Sequence, residues 1–412
     1  MTLGRADLEA LDATDPLASF RDEFALPEGV LYLDGNSLGA LPRATPARLA
    51  RLVEEEWGRD LIRSWNTAGW IDLPRRVGEA IAPVVGAAPG QVIAADSTSV
   101  NLFKLAAAAV GMRPGRRVIL SEPGNFPTDL YVLQGLAELL GDRVELVLAE
   151  RHELADALDG DVALLLLTHV HYKTGRVHDL PGLTAAAHAA GALTLWDLSH
   201  SAGALEVELD AAGADFAVGC GYKYLNGGPG APAWLYVAQR HQGQVRQPLA
   251  GWMGHAAPFA FEDRFRPADG MARQLCGTPG ILGMAALEEG VRIVARADRA
   301  RLREKSRRLG DLFLTLVAEQ CGPDSFALAC PADGAERGSQ VSLSHPEGYA
   351  IVQALIARGV IGDFRAPDIL RFGFAPLYLR YTDIWDAVAH LAAVMRDGDW
   401  QADRFRQRAA VT

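Results

Sequence analysis

Between residues 90 and 237 seven short apolar runs follow one another: QVIAAD, RRVILSE, VELVL, DVALLLL, ALTLWD, DFAVGC and APAWLYV. Helix-patterned stretches such as NLFKLAAAAVG and PGLTAAAHAAG lie between several of them. Strands that are nearly all apolar have no polar alternate face, so they predict a mostly parallel sheet covered on both sides, an α/β architecture. In such sheets ligands gather at the carboxyl ends of strands. The residues that follow each run are therefore where chemistry is expected.

Those residues are polar. After QVIAAD stand Ser97, Thr98 and Ser99, ahead of a helix expected near Asn101; hydroxyls and free N–H groups there make either an anion site or an ordinary cap. After RRVILSE comes PGNFPTD, where Phe126 is either a stacking ring or core. After DVALLLL comes THVHYKTG, and an H-x-H pair on extended chain would turn His169 and His171 the same way. Without HExxH or an assignable third ligand, no metal is expected. After ALTLW comes Asp197, a carboxylate that burial makes costly unless a cation meets it. Lys223 lies between the last two runs, beside Tyr222 and a glycine cluster. It is one of four lysines, with Lys104, Lys173 and Lys305, among 40 basic residues. A lysine can lose its proton and form a Schiff base; a guanidinium stays charged. An acid, a lysine, an anion site and an aromatic ring together suit a flat phosphorylated heterocycle with a protonatable ring nitrogen, a description that pyridoxal phosphate meets.

The remainder narrows the function class. A net charge of −11 argues against a nucleic-acid partner. The basic run RARLREKSRRL (299–309) reads as the wet face of a helix that also carries Leu302 and Leu309. The longest apolar runs are too short to span a bilayer. Four cysteines without CxxC spacing or a leader read as reduced thiols in a cytoplasmic protein. GNSLG (35–39) matches the GxSxG of serine hydrolases, but that elbow needs a helix directly after the serine, and prolines at 42 and 46 follow instead. A tight polar turn is expected. Beyond 237 the rhythm stops: a loop with Trp252, His255, Phe259 and Phe261 precedes CGTPG and a long helix expected over about 281–318. The tail then alternates strands (FALAC, SQVSLS, GVIGDF, DILRFGF) with helices, as a compact α+β lobe joined by the N-terminal arm. Arg371, inside ILRFGF, needs an anion, supplied either by a buried salt bridge or by a ligand.

Seven segments in order, LDGNSLG, DSTSVNLFKL, GNFPTDLY, WDLSHSAGA, GCGYKYLNGGPG, GWMGH and LRFGFAPLY, make the chain resemble the kynureninases, fold-type-I pyridoxal phosphate enzymes of the aminotransferase class V group. The resemblance implies an N-terminal arm (1–55), a large cofactor domain (56–290) with a mostly parallel seven-stranded sheet, and a small α+β domain completed by residues 291–412. It implies that Lys223 carries the cofactor as a Schiff base and moves the substrate's Cα proton, that Asp197 pairs with the pyridine nitrogen beside His200, and that Thr98, Ser99 and Tyr222 hold the phosphate. It places Phe126 on the ring with Asp129 in the same loop. Trp252 and Thr278 would reach a neighbouring active site in a homodimer, Arg371 would clamp the substrate α-carboxylate, and Ser37 would be a substrate-side turn residue. The implied reaction is hydrolysis of L-kynurenine to anthranilate and L-alanine, with Tyr222 proposed as the acid for the departing β carbon. Trp65, placed in the aryl pocket, and Thr278, where animal members tend to carry asparagine, point to kynurenine over its 3-hydroxy analogue. A cysteine desulfurase or aminotransferase would share Lys223 and Asp197, but a desulfurase would need Cys321 or Cys330 as a reactive thiol.

Overall fold

The computed structural model describes residues 3–408. After a short β1 (Leu31–Tyr32), all seven expected runs form strands: β2 (Val92–Ala94), β3 (Val118–Ser121), β4 (Glu145–Leu148), β5 (Val162–Thr168), β6 (Leu193–Asp197), β7 (Phe216–Gly219) and β8 (Trp234–Val237). They make one sheet in the order β2-β8-β7-β6-β5-β3-β4. β5, β6, β7 and β8 are buried at every position, which is why their sequences show no polar alternation. β8 runs antiparallel to both β7 and β2, while β7, β6, β5, β3 and β4 pair in parallel. The carboxyl ends of β2, β3, β5, β6 and β7 therefore open on one edge, and the polar residues that follow them converge there.

The second lobe holds β9 (Ala327–Leu328), β10 (Gln340–Ser344), β11 (Val360–Ile361), β12 (Asp363–Arg365) and β13 (Ile369–Gly373). Four of these form an antiparallel sheet ordered β12-β13-β10-β9. β11 instead pairs in parallel with β1, Leu31 opposite Val360 and Tyr32 opposite Ile361, which stitches the N-terminal arm into this lobe.

Four local expectations change. The helix expected near Asn101 begins at Thr98, because the Ser97 hydroxyl caps it by accepting from Val100 N at 3.3 Å. The single helix expected over 281–318 is two, Ile281–Val294 and Arg299–Cys321, since Asp298 caps a new start by accepting from Arg301 N at 3.0 Å. The basic run in that second helix is not wholly a wet face: Lys305 turns inward to a buried Asp15, 2.6 Å away. His169 and His171 do not act as a pair, because β5 ends before them. His169 Nδ1 meets Ser201 Oγ at 2.8 Å, and His171 Nε2 meets the Gly124 carbonyl at 2.9 Å.

Candidate active site

Lys223 follows β7 on the turn that leads back to β8 and is buried. Its Nζ lies 2.9 Å from His200 Nε2, and 5.7 and 5.8 Å from the ring centroids of Phe126 and Tyr222. Buried Lys104 and Lys305 both have carboxylate partners, Asp96 at 2.7 Å and Asp15 at 2.6 Å. Lys223 is answered by an imidazole. Burial, and then the Lys223 charge, hold His200 well below the usual histidine range, so it is a neutral acceptor.

Asp197 ends β6 and accepts from Ser199 N at 2.7 Å. Asp129 lies in the first turn of the helix Pro127–Leu140, which follows β3, and its Oδ2 accepts from Thr168 Oγ1 at 2.9 Å. Burial, and then the charge of Asp197, push the Asp129 carboxyl well above its ordinary value. Burial raises Asp197 too, partly offset by Ser199 and Lys223. Two acids that cannot both ionise cheaply in a dry site leave Asp129 neutral and Asp197 as the anion. Tyr222 is held protonated, pushed up by burial first and by Cys220 and Asp197 next. Phe126 caps the helix that carries Asp129 and sets its ring edge-on to Tyr172 at 5.2 Å. Thr98 and Ser99 occupy the first turn of Thr98–Gly111, where N–H groups lack helical acceptors.

The turn 34–39 closes the site from the other lobe. Gly39 N donates to the Tyr222 carbonyl at 2.7 Å, and a Cβ on Gly39 would run into the Lys223 carbonyl and Asn226. A Cβ on Gly35 would meet the Tyr378 hydroxyl. The GxSxG spacing thus reflects two close approaches, not an elbow. Ser37 Oγ donates to Asp363 Oδ2 and accepts from Arg371 Nη2, both at 2.8 Å, so its acceptor is a carboxylate already ion-paired with arginine and not an imidazole. Arg371 donates Nε to Asp363 Oδ1 at 2.8 Å, Nη2 to the other oxygen, and Nη1 to the Tyr172 carbonyl at 2.7 Å. Its buried partner within the subunit is therefore Asp363.

Three expected residues lie elsewhere. Trp65 packs edge-on against Trp70 at 6.0 Å in a small apolar cluster with Leu52 and Ala285. Trp252 is exposed and leads a row of rings through Phe259 and Phe261, and Thr278 is exposed as well. Sequence reasoning passed over Asp34, Asp363 and Arg365. The signal was D-F-R in β12, where positions 363 and 365 share a face. Cys321 and Cys330 sit in the small lobe, and burial raises both thiols, Cys321 up to about 11, the reverse of an activated nucleophile.

The residues fit pyridoxal phosphate. His200 Nδ1 and Asp129 Oδ1 are buried without a partner among the described residues, beside the Lys223 amine and the Asp197 anion. A buried acid pair suits a pyridinium, the helix start suits a phosphate, and Phe126 offers a face for the ring.

The chain resembles known proteins at two levels. It is 53% identical to the kynureninase of Burkholderia pseudomallei (strain 1106a) over 99% of both chains, and 52% identical to that of Pseudomonas fluorescens with the same coverage. Residues 302–391 match the family model described as the kynureninase C-terminal domain. Among solved structures, a cysteine desulfurase from Thermococcus onnurineus NA1 superposes with a TM-score of 0.76 at 19% identity, covering 92% of this chain and 98% of that one. The cystine C–S lyase C-DES in complex with cysteine persulfide gives 0.75 at 18%, covering 89% and 98%. These two establish the fold-type-I architecture alone. With relatives more than half identical from end to end, this chain belongs to the kynureninase family.

Proposed function

We propose that this protein hydrolyses L-kynurenine to anthranilate and L-alanine with pyridoxal 5′-phosphate as cofactor. The observation that carries the reading is Lys223: a buried amine held by a neutral imidazole, with Asp197 at the neighbouring strand end, in a chain whose full-length relatives are kynureninases.

When bound, the cofactor supplies an electron sink for charge developing at the substrate's Cα. Lys223 would hold the cofactor, and its amine would take the proton from the substrate's Cα. Asp197 keeps a positive charge opposite it favourable, and neutral Asp129 adds a donor without a second negative charge. Thr98, Ser99 and Tyr222 would hold the phosphate, Phe126 would offer its face to the ring with His200 beside Asp197, and Arg371 with Ser37 would orient the substrate's α-carboxylate. Water adds to the ketone carbon and the Cβ–Cγ bond breaks. The hydroxyl stays with anthranilate, while Cβ takes a proton from Tyr222, whose raised pKa keeps it a donor near neutrality.

Residues 56–290 form the cofactor domain, and the described residues before 56 and after 290 the small one. The protein is a homodimer in which Trp252 and Thr278 complete the partner's site. The exposed Trp252–Phe259–Phe261 row supports such an interface. All four cysteines are free, as suits the cytoplasm. Borohydride reduction with peptide mapping, followed by an anthranilate fluorescence assay on the same preparation, tests the lysine and the reaction together. Label on another residue, or no anthranilate, would overturn the reading.

A further inference from the structure

Two guanidiniums, Arg371 and Arg365, lie close enough to His200 for their charges to act on it, and one carboxylate, Asp363, serves both. Asp363 and Arg365 alternate on β12, and Asp363 is the register partner of Arg371 on β13, so all three project from one face of the small sheet. Asp363 Oδ2 alone accepts from Arg371 Nη2 and from Ser37 Oγ at 2.8 Å, and pairs as an ion with Arg365 Nη2 at 2.7 Å. Two positive groups against one negative leave an excess of one. The other acid beside them, Asp34, has its carboxyl pushed up to about 7 by burial first and Asp363 next, so near neutrality it cancels only part of that excess. An unmatched charge at a largely buried place is costly until an anion arrives.

The geometry also limits how that anion can dock. The Nε/Nη2 edge of Arg371 is closed by Asp363, so a carboxylate cannot take it side-on. It must approach the Nη1/Nη2 end, where the Tyr172 carbonyl and the Ser37 hydroxyl now accept. Ser37 Oγ already stands between the two cations, 2.8 Å from Arg371 Nη2 and 3.5 Å from Arg365 Nη2. A group the size of one oxygen can touch both. The Arg365 side chain keeps about a third of its surface open, whereas that of Arg371 is buried, so Arg365 forms the lip and Arg371 the floor.

We infer that Arg365 is a second carboxylate-binding residue, that it and Arg371 together hold the substrate's α-carboxylate, and that Asp363 is the positioning residue that sets both guanidiniums on one face. The inference rests on the hydrolysis reading above for the identity of the substrate.

The test uses the holoenzyme with Arg365→Gln and Arg365→Lys, L-kynurenine and its α-carboxamide as substrates, and L-alanine as a binding probe read by the change in cofactor absorbance. Arg365→Gln should raise KM for L-kynurenine and weaken L-alanine roughly tenfold, the effect of about one charge-assisted hydrogen bond, with kcat within about threefold. Arg365→Lys should recover part of the loss. For the carboxamide, wild type and Arg365→Gln should agree within about twofold, because no anion is present to lose a partner. Equal losses on acid and amide would mean that Arg365 only supports Asp363, and unchanged affinities would also overturn the inference. Wild type without anthranilate production would sink the hydrolysis reading instead, and the L-alanine arm would still decide on Arg365.

Discussion

The two edges of the large sheet carry equally buried carboxylates whose pKa values are pushed in opposite directions. On the amino edge, Asp215, just ahead of β7, accepts from Thr194 N at 2.8 Å, His188 Nε2 at 2.8 Å, His241 Nε2 at 2.7 Å and Arg240 Nη2 at 2.7 Å. Burial alone would push it up, but the hydrogen bonds from His241 and His188 bring it below the ordinary carboxylate range. On the carboxyl edge, Asp197 and Asp129 are raised, and Asp129 Oδ1 and His200 Nδ1 have no partner among the described residues. Both side chains at the β6 and β7 ends, Asp197 and Asp215, are 2% exposed or less. Burial therefore does not separate them; donor supply does. A carboxylate whose lone pairs are filled locks the sheet, and one left short of donors is available to a ligand.

That contrast can be broken by mutation. Lys223→Ala should cost at least about 10³-fold in anthranilate formation while the melting temperature stays within a few degrees, because among the described residues Lys223 meets an imidazole and forms no ion pair. Asp197→Ala should lose most of the activity, about 10²-fold or more, with no loss of stability. Asp215→Asn should do the reverse, lowering unfolding free energy by about 2–4 kcal/mol with kcat of the folded enzyme within about twofold. Urea melts and turnover of the same preparations check both, and equal melting losses for the two aspartates would erase the distinction. Arg371→Lys should weaken L-kynurenine roughly tenfold, since the fork geometry goes while the charge stays.

The smallest effect expected is on pH. Asp34 is faced by Asp363 and Arg365 from β12 and Arg371 from β13, and it borders the neutral phenols of Tyr32, Tyr224 and Tyr378. Below about 7 it is neutral and the pocket keeps its excess positive charge; above, its carboxylate cancels that excess. Affinity for L-alanine should therefore fall as pH rises through about 7, by less than about tenfold, and Asp34→Asn should flatten that limb. A flat wild-type profile would mean that Asp34 does not set the charge of the pocket.

Much of this was legible in the chain. Every large-sheet strand was visible as a short apolar run, fully buried in β5 to β8 although the edge strand β4 is largely exposed, and Asp197, Phe126, Thr98 and Lys223 were visible as the polar and aromatic residues at or after the strand ends. Lysine scarcity singled out four residues equally. The place of Lys223 beside Tyr222 and a glycine cluster set it apart in the sequence, and the fold gives the physical reason: Lys104 and Lys305 are each paired with an aspartate, whereas Lys223 meets His200. The break at Asp298 and the inward turn of Lys305 were hidden because the helical period continues on both sides, and Asp15 lies far away in sequence.

The sequence by itself determined the layered sheet, the edge where chemistry collects and the residue types at that edge, because strand burial and strand ends are local patterns. Tertiary structure decided which charge meets which. Asp363 faces Arg371 only through the register of β12 on β13, and the 34–39 turn reaches Lys223 only because β1 pairs with β11. Charge pairing acts through space, whether the partners are eight positions apart like Asp363 and Arg371 or far apart in sequence like Lys305 and Asp15, and no local period records it.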